Sequence, residues 1–205
     1  MTTAEPGTRR TQAQRTAQMR RALIEATIAS IRDAGYHATT NRSVAELSGA
    51  SLGAMSHHFA NRNELIASAL DEVGNRVITE LGERAAAITA TGTNRIRGTL
   101  DVLWTLFSGD LFQVWLKVWF AAADDPELYA ALAPIERRLS DTIATEIAKL
   151  TPPHLDRKSW VRRVGVAMDA IRGLALTQQL EPRRPERGRD RWPTVRSELL
   201  RMIEC

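Results

Sequence analysis

Apolar side chains recur along this chain every three or four positions, and no segment sustains the two-residue alternation of a half-buried strand. That pattern predicts an all-α protein of about nine helices. Leu23, Ile24, Thr27, Ile28 and Ile31 mark one face of a helix over 16–34, which Gly35 ends. Thr40 can cap a short helix reaching about Ser48, with Val44, Ala45 and Leu47 on its buried side, and Ser51 can cap a second running to about His58, with Met55 and Phe59 facing inward. Asn61 starts a long helix carrying Ile66, Leu70, Val73, Val77 and Leu81, expected to run until Thr91-Gly92-Thr93 breaks it. Further helices are expected over 94–107, 111–123, from Asp125-Pro126 to about 150, and over 157–180 and 192–204. The breaks fall at Ser108-Gly109-Asp110, at Thr151-Pro152-Pro153, and in a stretch with Pro182, Pro185, Gly188 and Pro193 that carries five Arg and suggests an exposed linker over 183–191.

Residues 39–59, TTNRSVAELSGASLGAMSHHF, are the most informative stretch. A residue leaving a helix through a left-handed conformation is strained unless it lacks Cβ, so Gly49 favours a tight corner between the two short helices. Beyond that corner Leu52, Gly53, Ala54, Ser56 and His57 lie off the inward face, and most are small enough to let a helix backbone approach base edges in a major groove. The shape is that of a helix-turn-helix, although a plain packing corner has the same pattern. Charge favours the former. Residues 1–62 hold eight Arg against four acidic side chains, whereas residues 63–205 hold 20 basic and 20 acidic, so the whole formal net charge of +4 sits with the corner. A polyanion is attracted mainly through its phosphates, and a basic N-terminal third is the footprint expected of a small DNA-binding domain.

Composition narrows the alternatives. A chain of 205 residues with 43% hydrophobic content can bury a sizeable core. The start lacks a basic and then apolar leader, and the longest uncharged run, 47–61, is broken by Ser, Gly and His, so a cytoplasmic protein without a membrane span is expected. Cys205 is the only cysteine, His37, His57, His58 and His154 have no ligand spacing, and no nucleophile has a recognisable base; neither a metal, a cofactor nor catalysis is expected.

The first sixty residues resemble the N-terminal domain of the TetR family of transcriptional repressors. The resemblance is carried by a helix ending at Gly35-Tyr36, then Ala38-Thr39-Thr40, Val44-Ala45, Gly49, the helix over 51–58, Phe59, and Asn61 to Leu65. It spans about fifty residues; beyond them only length and helix layout are similar. Leu52 stands where the family often has Lys, Ser56 where it often has Tyr, Asn41 where an aliphatic residue is usual and Ile31 where an aromatic is frequent, so the grip on the DNA backbone is altered. The resemblance implies phosphate contacts from Thr40, His57, His58 and Arg62, and positions near base edges for Arg42, Ser51, Leu52, Gly53 and Ser56. It also implies a homodimeric repressor on a near-palindromic operator, with a small-molecule effector bound in its C-terminal part.

Two such recognition helices, about one DNA turn apart, require a two-fold partner and an apolar seam. Val161, Val164, Met168, Ile171 and Ala175, with Val195, Leu199 and Met202, repeat at the right spacing, and the resemblance places their helices in a four-helix interface. The same stripes could face the chain's own core, and the resemblance, with helices this late in the chain, favours the interface. Trp104, Phe107, Phe112, Trp115, Trp119 and Phe120 gather most of the aromatics within seventeen residues and suggest a pocket for an apolar or ring-bearing ligand, with Gln113, Met168, Asp169 and Gln178 completing it. The expected organisation is a flexible basic arm (1–11), a helix-turn-helix domain (12–60) and a helical ligand-binding and dimerisation domain (61–205). A helical protein-interaction adaptor without specific DNA binding is the competing assignment.

Overall fold

The computed structural model describes residues 11–180 and 191–204, and among these the chain forms nine α-helices and no strand. They are α1 (Gln12–Ala34), α2 (Asn41–Ser48), α3 (Leu52–His58), α4 (Arg62–Ala86), α5 (Gly92–Ser108), α6 (Asp110–Ala122), α7 (Pro126–Lys149), α8 (Arg157–Leu180) and α9 (Trp192–Glu204). Residues 1–10 of the expected arm and 183–190 of the expected linker lie outside the described residues.

Local chemistry sets most of the ends. Thr11 and Gln14 form a reciprocal capping box, so α1 begins at Gln12, about one turn before the expected start at residue 16. Asn61 accepts from the Glu64 amide and Asp125 from that of Leu128, with Pro126 opening α7 where its missing N–H costs nothing. The long α4 ends at Ala86, short of the expected break, because the chain turns there and lays Ile88 against Gly98 of α5.

Two hydrophobic clusters hold the helices together. The N-terminal one takes Leu23, Ile28 and Ile31 of α1, Val44 of α2, Met55 of α3 and Leu65 to Val73 of α4, and closes over Val114, Val118 and Ala122 of α6 and Leu128 and Leu132 of α7. The other is built from α5, α8, α9 and the far ends of α4 and α7, around Leu100, Leu103, Ile147, Val164 and Ile171. Trp160 lies wholly inside it and donates its indole N–H to the Ile147 carbonyl at 2.8 Å, fastening α8 to α7. Trp115 packs against both clusters.

Three residues of the stripe expected at the subunit seam, Val164, Ile171 and Leu199, are buried within the single chain, while Val161, Val195 and Met202 keep part of their surface. Val164 and Ile171 are 0% exposed and Leu199 is 7% exposed, packed within the chain's own core, and Val161, Val195 and Met202 lean on that core as well. A side chain with no surface left in the single chain offers none to a partner.

Candidate nucleic-acid interface and interior cavity

The corner between α2 and α3 is built entirely from short-range chemistry. The Thr40 hydroxyl accepts from the Ser43 amide at 3.1 Å while the Ser43 hydroxyl accepts from the Thr40 amide at 2.9 Å, a second reciprocal cap. Gly49 takes the left-handed conformation (φ 69°, ψ 17°), and the Ala50 amide closes back on the Ala45 carbonyl at 3.0 Å. Ser51 then caps α3 through the Ala54 amide. Met55 and Phe59 anchor α3 in the core, leaving Ser51, Leu52, Gly53, Ser56 and His57 exposed along its outer side. Leu52, a large apolar side chain, is 52% exposed there. Arg42 projects from α2, its side chain 83% exposed, and makes an i,i+4 contact to Glu46 at 3.0 Å. Such a surface pair is worth little and is readily exchanged for a phosphate or a base.

Arg62, expected at the phosphates, is instead folded over the turn between α1 and α2. Its Nε donates to the Thr39 carbonyl at 2.8 Å, Nη1 to the Tyr36 hydroxyl at 2.8 Å and Nη2 to the Tyr36 carbonyl at 2.7 Å, with Cζ 4.2 Å from the centre of the Tyr36 ring. Buried Ser30 and Thr39 complete the fastening, their hydroxyls 2.9 Å apart and that of Thr39 bonded to the Gly35 carbonyl. The first residue of α4 therefore holds the frame on which α2 and α3 sit. His58 is half-buried; burial first, then the nearby His57 and Arg20, push its pKa below the usual 6.5, so it holds a proton less readily than a free imidazole.

Behind this head, α4 to α8 border a cleft with about 100 Å³ of free interior, partly open to solvent, whose walls are mostly apolar. Phe107, Phe112, Trp115 and Trp119 line it, with Val73 and Val77 of α4, Glu136 and Leu139 of α7, and Arg172 of α8. On α6 the lining residues are 111, 112, 115, 116 and 119, one helical stripe, and Gln113 falls off it. The remaining expected ligand residues also lie elsewhere. Trp104 is stacked on Trp192 of α9, rings 5.0 Å apart and nearly parallel; Met168 packs on the core; Asp169 and Gln178 point to solvent. Glu136 and Arg172 carried no signal in the sequence, because what brings them to the aromatic wall is the crossing of α7 and α8 over α6.

Two helices link the cleft to the head. Val73 and Val77 belong to α4, whose first residue is Arg62. From α6, on the side away from the cleft, the Lys117 ammonium donates to the Ile31 and Arg32 carbonyls at the end of α1. Among the described residues no group of three His, Cys, Asp or Glu side chains is arranged to hold a metal, and no helix is long and apolar enough to cross a membrane.

A capped, glycine-cornered helix pair with its second helix exposed, mounted on a helical body with an interior cleft, defines a helix-turn-helix transcriptional regulator. The comparisons agree. Residues 23–69 match the model of the bacterial regulatory proteins, tetR family. The HTH-type transcriptional regulator BetI of Burkholderia thailandensis is 30% identical over 145 residues, covering 69% of this chain and 74% of that one. The chain belongs to the tetR family of transcriptional regulators, and it is not an enzyme. Its fold is similar to that of a transcriptional regulator from Rhodococcus sp. Rha1 (TM-score 0.70, 22% identity, 90% of this chain and 94% of that one). It is also similar to the multidrug binding protein EbrR in complex with ethidium (TM-score 0.65, 22% identity, 90% and 98% covered).

Proposed function

We propose that this regulator is a homodimeric repressor of a near-palindromic operator, released when a small, largely apolar or aromatic molecule enters the cleft. The observation that carries this is the connection of cleft and head through one continuous helix: α4 lines the cleft with Val73 and Val77 and fastens the α1–α2 turn with Arg62. Arg42, Thr40, His57 and His58 reach phosphates or groove edges, and Ser51, Leu52, Gly53 and Ser56 form the side of α3 that enters the groove. Residues 12–60, with the first turns of α4, act as the reading head, and the remainder as the ligand-binding and dimerising body, inside the cytoplasm. Because the apolar stripe of α8 is spent on the core, the subunit seam falls on its outer side, at Val166, Ala170 and Gly173; Val166 is 53% exposed and its two neighbours are small enough for a close helix crossing. EbrR, a protein of the same fold, holds ethidium, which supports an aromatic effector here.

A ligand that favours the state with α4 displaced weakens DNA binding by the ratio of its affinities for the two states, typically about 5- to 150-fold for a coupling of about 1–3 kcal/mol. Footprinting the purified protein on DNA flanking its own gene tests the proposal: two protected half-sites about one helical turn apart are expected, weakening steeply with salt and lost with Arg42→Ala. Duplex binding without sequence preference, or none, refutes the operator and leaves the adaptor assignment.

A further inference from the structure

We propose that the cleft selects an organic acid, a small molecule with an apolar or aromatic body and a single carboxylate that pairs with the guanidinium of Arg172. The proposal rests on the cleft being the effector site and adds the charge of the ligand. Arg172 enters the cleft from α8, and its Cζ lies 4.9 Å from the centre of the Phe107 ring, which holds the planar fork against an apolar wall. Its ion pair is long, 3.6 Å to Asp169, whose own side chain is 79% exposed and mostly satisfied by water. Among the described residues the guanidinium makes no hydrogen bond, although it carries five N–H donors.

The Arg172 side chain is 41% exposed, so water reaches part of the fork, and a bound carboxylate would take the place of that water. Burial is the largest influence on this group and lowers its pKa, opposed by Asp169 and Glu136. A carboxylate matches the fork with two parallel charge-assisted bonds, while the rest of the ligand meets Phe112, Trp115 and Trp119. Glu136 lines the same cleft from α7 and forms no ion pair with Arg172. Its negative charge limits the ligand to one: a second carboxylate, or a phosphate, would be repelled. The cleft thereby distinguishes an aromatic or fatty monoacid from its neutral, cationic and dianionic counterparts.

Calorimetric titration of the full chain with matched naphthalene probes tests the charge without needing the natural effector. Near neutral pH, 2-naphthoate should bind about tenfold or more tighter than 2-naphthamide, the advantage expected of charge-assisted bonds in a partly dry site. Arg172→Gln should erase that advantage and leave the amide unchanged, and Arg172→Lys should keep part of it. Naphthalene-2,6-dicarboxylate should bind more weakly than the monoacid and recover with Glu136→Gln. Equal affinity for acid and amide overturns the acid preference and leaves an aromatic effector site standing. So does an ammonium analogue, 2-naphthylmethylammonium, that binds best and depends on Glu136. An Arg172→Gln variant that loses the amide as well shows Arg172 to be a wall of the cleft and overturns the pairing. If no probe binds and none weakens operator binding, the acid preference and the effector site fall together.

Discussion

Replacing Arg62 by Ala separates two roles that the same residue would otherwise be given. In the structure its guanidinium donates three hydrogen bonds of 2.7–2.8 Å, two of them to main-chain carbonyls of the α1–α2 turn, and covers the Tyr36 ring. Hydrogen bonds to a charged group are worth about 1.5–3 kcal/mol each when dry, and partial exposure brings each here nearer 1 kcal/mol, so the truncation should cost about 3 kcal/mol. For a chain of this size that corresponds to a fall in melting temperature of about 6–12 °C, measurable by circular dichroism. Operator affinity should fall because α2 and α3 lose their frame, while the dependence of log affinity on log salt keeps the wild-type slope. Arg62→Lys, which can restore one bond, should recover only part of the loss. An Arg62→Ala protein with unchanged melting temperature, reduced operator affinity and a salt slope lower by about one unit would falsify the fastening role and return Arg62 to the phosphates.

Gly53 lies within α3 with an unstrained backbone, and an added Cβ would come no nearer to its neighbours than 4.0 Å, to Ser51 Oγ. Gly53→Ala should therefore raise stability by about 0.5–1 kcal/mol through helix propensity and yet weaken operator binding, as the methyl holds the helix off the bases; a variant that binds the operator as well as wild type shows that α3 does not approach the groove there. The depressed pKa of His58 means that the unfolded chain takes up its proton first as pH falls. Its contribution to stability is present above the unfolded value of 6.5 and lost on acidification through the lower folded value. The melting temperature of wild type should thus fall further than that of His58→Asn between about pH 7.5 and pH 5, and parallel curves would remove His58 from the desolvated class.

The reading head was legible because its instructions are local. Thr40, Gly49, Ser51 and Asn61 each act within three or four residues, and each stands where the sequence places a cap or a corner. The start of α1 was missed although Thr11 and Gln14 spell a capping box, since the turn they open is exposed and has no apolar stripe to draw attention to it. The end of α4 depends on Ile88 meeting Gly98, a contact between separate elements that no window of sequence contains. Four aromatics of the cleft were legible as a cluster, but Glu136 and Arg172 lie far along the chain in ordinary charged surroundings. The stripe of Val164 and Ile171 shows a different limit, because spacing records that a face is covered and not whether its cover is the same chain or another.

Trp115 stands where both hydrophobic clusters meet, and Val114 and Val118 on the same helix roof the N-terminal one. The head is consequently no detachable cassette: cut after residue 60, it would lose its lid and present Leu23, Ile31 and Met55 to water. Reshaping the cleft through α6 disturbs the foundations of the N-terminal head, whereas Glu136 of α7 and Arg172 of α8 line the cleft without belonging to either buried cluster. Should the cleft be the effector site, its preference is open to change at those two positions with the least disturbance to the head.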